Sequence, residues 1–180
     1  MTIDYLEKYV KGDTFDMSAL LNDDFFQPIR ILFQSKHYVS ATKLLYVAID
    51  SLSYVEFGDI KGNNFIKWLE VYFDFSGFEI TPEELWEHRN SLLHMSNLKS
   101  RKVASGKSRK LVCYVGEMHP DVKLDDSNTG YYDLQKFILK FGHACGKWLH
   151  TYGATPEKYE LFFERYDLIA SDARMLNVYY

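Results

Sequence analysis

The longest apolar run of the chain, Tyr38 to Phe57, reads YVSATKLLYVAIDSLSYVEF. Leu44, Leu45, Ala48, Ile49, Leu52 and Val55 recur at helical spacing, and Tyr46, Val47 and Tyr54 fill the other side. A helix apolar nearly all round belongs at the centre of a fold. Phe25 to Ser35 predicts a helix before it, with Phe26, Ile29, Ile31, Leu32 and Phe33 as its apolar part and Pro28 tolerated only near its start. The segment from Met1 to about Asp24 is acidic and only partly periodic. After Gly58 and Gly62, Asn63 can cap a third helix in which Phe65, Trp68, Leu69 and Tyr72 repeat at +3, +4 and +7.

Thr81-Pro82-Glu83-Glu84 has the pattern of a reciprocal capping box with proline at the first helical position, so a fourth helix should run from there to about Asn97. From Lys99 to Val115 the pattern changes. Ser105-Gly106 separates SRKVA from SRKLVCYV, and Val112, Cys113, Tyr114 and Val115 favour extended backbone, which predicts a short basic β-hairpin. Residues 116–129 read as loop. A helix from about Tyr131 to His150 carries Leu134, Phe137, Ile138, Phe141, Cys145, Trp148 and Leu149 on one stripe. Thr155-Pro156-Glu157 opens a last helix with Tyr159, Phe162, Phe163, Tyr166 and Ile169 inward. The expectation is a single all-α domain over residues 1–180, a bundle with a small β-hairpin inserted after its fourth helix.

Composition changes this picture little. The chain of 180 residues is long enough for one full core, and its aromatic content of 17% predicts a core rich in rings. The net charge of −4 gives no overall sign of nucleic-acid binding, so any such role must rest on local charge. Lys99, Arg101, Lys102, Lys107, Arg109 and Lys110 supply that locality, six cations among twelve residues without an acid. Salt-sensitive binding of an anionic chain such as RNA is the natural use of such a patch; a solvated edge guarded by lysines is the plainer one. Cys113 and Cys145 form neither a metal pattern nor a disulfide framework, and the remaining histidines, His119 among them, lack ligand spacing. No metal and no cofactor is expected. The N-terminal stretch lacks a signal-peptide apolar region and no segment has the length of a membrane span, which together predict a cytoplasmic protein with no membrane partner.

The chemistry lies in Glu87-His88-Arg89-Asn90-Ser91-Leu92-Leu93-His94. On a helix, Leu85, Arg89, Leu92 and Ser96 share one stripe, which puts a guanidinium where a core residue is expected. Such a charge needs a partner. Asp50, which interrupts the most apolar helix of the chain, has the same need, so the two should meet. Asn90 and His94 lie on the neighbouring face. Arginine holds phosphate oxygens bidentately and imidazole moves protons near neutral pH, a suitable kit for phosphodiester chemistry. A purely structural Asp50–Arg89 pair, with a helix-end histidine beside it, is the alternative.

Arg89-Asn90-Ser91-Leu92-Leu93-His94 resembles the R-x(4–6)-H motif of HEPN domains, with asparagine directly after the arginine as is common there. The resemblance covers roughly residues 38–150 in architecture and six residues in tight motif. It implies a HEPN-like bundle of four to five core helices and a homodimer whose motif helices face each other across one active site. It also implies metal-independent RNA cleavage, in which the 2′-OH attacks phosphorus and leaves a 2′,3′-cyclic phosphate. By that resemblance His94 would transfer protons, Arg89 would stabilise the phosphorane, Asn90 would orient His94 or a phosphate oxygen, and Asp50 would fix Arg89. Toxin–antitoxin or phage-defence roles, with an antitoxin protein as partner, are common in the family. A catalytically inactive RNA- or protein-binding module and a purely structural helical dimer are the alternatives.

Overall fold

The computed structural model describes residues 5–95, 97–118, 125, 127–155 and 157–169, so Ser96, His119 and Pro156 fall outside it. Its centre is the helix α3, Tyr38–Phe57, whose bounds are those the apolar pattern predicts. Ala41, Leu45, Tyr46, Ala48, Ile49, Leu52 and Val55 are all buried on it. Before it, a two-residue antiparallel ladder, β1 (Val10–Lys11) and β2 (Thr14–Phe15), leads into α1 (Met17–Leu21), a π-helical turn (Asn22–Phe26) and α2 (Gln27–Gln34). The helix thus begins well before Phe25, with Asp16 accepting the Ala19 N–H at its cap. Pro28 has no N–H to continue an α-helical ladder, and the turn just before it widens so that Gln27 N–H reaches Asn22 O, five residues back.

α4 (Asn64–Tyr72) is capped by Asn63, whose side chain accepts from Ile66 N. α5 (Pro82–Asn90) has both halves of the capping box: Thr81 N–H donates to Glu84 Oε2 at 2.9 Å, and Glu84 N–H to Thr81 Oγ1 at 3.2 Å. A second π turn, Ser91–Met95, follows directly. α7 (Leu134–Ala154) and α8 (Lys158–Ile169) close the bundle around rings of Trp68, Trp148, Phe137, Phe141 and Phe162, all fully buried. The expected helical fold is therefore present, with two small sheets beside it.

The hairpin expected over 99–115 is not formed. Ser100 accepts the Val103 N–H and starts one helical turn, α6 (Arg101–Ala104). Gly106, at φ 70°, turns the chain out of it. Lys110–Tyr114 then becomes β3, which pairs in parallel with β4, Thr129–Asp133, in the register Lys110↔Thr129 to Tyr114↔Asp133. SRKVA holds one β-branched residue and a natural N-cap, whereas TGYYD supplies the aromatic extended segment that β3 needs. A parallel partner must arrive by a crossover, so adjacency in sequence could not reveal it. The seventh helix accordingly starts later than Tyr131, at an Asp133 cap that accepts the Lys136 N–H.

Two anchors hold the bundle ends. Glu56 of α3 accepts from Tyr72 Oη (2.9 Å), Trp148 Nε1 (2.8 Å) and Lys158 Nζ (2.8 Å). Arg165 of α8 donates to the carbonyls of Val55 and Glu56, which a helix C-terminus would otherwise leave open, and lies against Gly58. Among the described residues no helix is long and apolar enough to cross a membrane.

The sheet offers a direct check. A Cβ on Gly130 would stand 2.6 Å from Leu111 Cδ2 and 3.2 Å from Ile80 Cγ2. Gly130→Ala should cost about 1–3 kcal/mol, as overpacking does in a filled core. Urea unfolding measures it; a neutral substitution would mean that β3 and β4 are not paired in this register.

Candidate active site

The capping box fixes where α5 begins, and so which way its last turn faces. Arg89 Nε donates to Asp50 Oδ2 at 2.7 Å, and Nη2 approaches the same oxygen at 2.6 Å. Nη1 donates to Asn90 Oδ1 at 3.0 Å and meets His94 Nε2 at 3.1 Å. The structure thus brings Arg89, Asn90, His94 and Asp50 into one cluster. Its base is half-buried: the side chains of Arg89 and Asp50 are 18% and 27% exposed, while His94 stands in solvent. Burial pushes the Asp50 carboxyl up, and the charge of Arg89 pulls it back. Trp86 lies beneath the guanidinium, with Arg89 Cζ 4.9 Å from its ring centroid. The motif itself does not mark this cation–π contact; the signal for it is a tryptophan three positions before the arginine, one helical turn away.

The π turn is what closes the cluster. Arg89 and His94 are five residues apart. On an α-helix such positions point about 140° away from each other. A turn whose bond spans i→i+5 returns them to one face. An arginine can only donate, so His94 Nε2 is the acceptor here, and the neutral ring carries its proton on Nδ1.

The basic residues are placed differently from expectation. Arg109 Nε and Nη2 grip Glu84 at 2.6 and 3.1 Å, and Nη2 also donates to Glu79 O. Lys102 Nζ is 3.1 Å from Glu87, whose side chain is only 7% exposed. Glu84 and Glu87 lie on a different side of α5 from Arg89, since Glu87 and Arg89 stand about 160° apart around the helix. Lys99, Arg101 and Lys107 are exposed and Lys110 is half-buried. Lys102, Lys107, Arg109 and Lys110 thus gather on the acidic side of α5. Glu84 reads in sequence only as the capping-box partner of Thr81, and nothing local marks Lys102 as the partner of Glu87, so neither ion pair is expected from sequence.

Below the motif helix, His88 is buried at 4% exposure, with Nδ1 2.9 Å from Tyr46 Oη, which in turn lies 3.0 Å from Tyr132 Oη. Burial lowers its pKa from an ordinary 6.5 to about 4. This triad pins α5 to α3 and β4 by hydrogen bonds in a dry setting, where each is costly to leave unmade. Cys113 and Cys145 are free thiols, half-buried and buried.

No protein-family model matches the chain, and no curated protein and no solved structure is significantly similar to it.

Two outcomes follow from this geometry. Asp50→Asn should destabilise by about 1–3 kcal/mol, less than for a fully buried pair because both partners touch solvent. Adding Arg89→Gln should then cost little more; additive losses in urea melts would mean that the pair is not coupled. His88 has a lowered folded pKa, so its contribution is complete above the unfolded value and is lost as pH falls from 6.5 towards 4. The loss is on the order of 3 kcal/mol. His88→Gln should flatten the fall in unfolding free energy between pH 7 and about pH 4.5; an unchanged slope would remove His88 as its source.

Proposed function

We propose that the chain is a metal-independent endoribonuclease of the HEPN type, acting as a homodimer on RNA. The observation that carries the reading is the convergence of Asn90 and His94 on one guanidinium that Asp50 holds from behind. In this proposal His94 Nε2 takes the proton of the attacking 2′-OH. Nε2 has one lone pair, so the 2′-OH must displace Arg89 Nη1 from it before the proton moves; that exchange frees Nη1 to turn towards the phosphorane oxygens. The new bond joins O2′ to phosphorus, the P–O5′ bond breaks, and the departing oxygen takes a proton from solvent or from the second motif of the dimer. Asn90 keeps the arginine in plane.

An exposed stripe on α3 supports the dimer. Val39 and Val47 are 62% and 40% exposed on the side of α3 that carries Asp50, with Lys43 between them, and Val47 lies one turn from Asp50, so some apolar surface adjoins the cluster. A cytoplasmic setting, restraint by an antitoxin protein and a place in toxin–antitoxin or phage defence belong to the same proposal.

One feature favours a catalytically silent RNA- or protein-binding module. Arg89 Nε, Nη1 and Nη2 all have partners within the chain, and a guanidinium so engaged has little left for a phosphate.

The deciding experiment incubates the full chain with structured and unstructured RNA in EDTA, beside Arg89→Ala and His94→Ala. The expected products carry 2′,3′-cyclic phosphate and 5′-OH ends, and each variant should be slower by roughly 100-fold or more. Wild-type rates in both variants would overturn the assignment. RNA bound but not cut by the unaltered chain would favour the module.

A further inference from the structure

On the acidic side of α5, away from the Arg89 cluster, a cleft of about 650 Å³ opens between the start of that helix, the α6 turn and the first residues of β3 and β4. That volume falls in the range of small-ligand sites, roughly 300–1,000 Å³. Its charges are sorted. The buried carboxylates of Glu84 and Glu87 are each met by a cation, Arg109 and Lys102. Two lining cations have no ion-pair or hydrogen-bond partner among the described residues: Lys107, which is exposed, and Lys110, whose charge acts on the exposed carboxylate of Asp125 in the same cleft. Among the acceptors that line the cleft are the exposed Glu83 carboxylate, the side-chain carbonyl of Asn128 and the carboxylate of Asp125, which is already taken up by Ser127 Oγ.

We propose that this cleft binds one nucleotide unit, with its phosphate on Lys107 and Lys110 and an amino-bearing base towards Glu83 and Asn128. Lysines take phosphate as point charges, and a carboxylate accepts from the exocyclic amine of cytosine, adenine or guanine. Uracil offers no such amine and should bind worst. The nucleotide could belong to an RNA strand or be a free ligand; the shared chemistry is the phosphate and the amine. The strand version rests on the ribonuclease reading. Because the cleft and the Arg89 cluster flank one helix about 10–12 Å across, a strand touching both would span two or more nucleotides.

Calorimetric titration of the full chain with CMP, AMP, GMP and UMP, and with a short RNA bearing a non-cleavable 2′-deoxy scissile position, tests this. Lys107→Ala/Lys110→Ala and Glu83→Gln are run beside it, with folding checked by circular dichroism. Binding weakened roughly tenfold by the lysine pair, and a preference over UMP reduced by Glu83→Gln, supports the site. Binding of the oligonucleotide alone assigns it to a strand; binding of free nucleotides assigns it to a ligand. No binding of either probe, or affinity indifferent to both lysines, overturns it. In Arg89→Ala and His94→Ala the roughly tenfold effect of the lysine pair should persist whatever those changes do to strand affinity, so loss of cleavage and loss of this site are read separately.

Discussion

A helix buried on most of its surface can carry a carboxylate only where other parts of the chain bring hydrogen-bond donors to it. α3 carries two that do, Asp50 and Glu56, and much of the architecture follows from satisfying them. Asp50 draws in Arg89 and with it the end of α5. Glu56 draws in α4 through Tyr72, α7 through Trp148 and α8 through Lys158. Apolar burial would let these helices pack in several rotations; the two acids select one. The direction in which Arg89 presents Nη1 to Asn90 and His94 is therefore set by the same constraint that orders the core.

The second determinant is local. Both π turns fall where an α-helical continuation is spoiled or would misplace a side chain. Ahead of Pro28 the turn absorbs a missing donor. After Asn90 it moves His94 back beside Arg89. A five-residue spacing that looks poorly suited to cooperation on an ideal helix becomes the spacing that works, and the widened turn sits at the candidate chemistry, as such turns often do.

What could be read beforehand was what neighbours decide. The Asn63 cap, the Thr81/Glu84 box and the limits of α3 are fixed by residues within a turn of one another, and the Asp50–Arg89 pair followed from two charges on otherwise apolar stripes. Pairing across distance could not be read. The β3 partner lies beyond a crossover, so the local turn signal at Ser105-Gly106 suggested a hairpin that Ser100 prevents by capping α6. The burial of His88 escaped for the same reason: its partners, Tyr46 and Tyr132, come from 42 residues before it and 44 after. The cationic stretch was visible as composition, but which of its members answer a buried acid depended on the rotation of α5.

The clamp of Arg165 on the end of α3 bears on the order of events during synthesis. Its two carbonyl partners leave the ribosome long before it does, since Arg165 follows Glu56 by 109 residues. At about 5–20 residues per second, the central helix waits roughly 5–20 s for its cap. For most of that interval Glu56 also lacks Trp148 and Lys158, which follow it by 92 and 102 residues, and the helix bearing Asp50 remains unpinned at one end. A nascent chain therefore holds the Arg89 motif before it holds all of the scaffold around it, and the central helix is fully anchored only once α8 has been made.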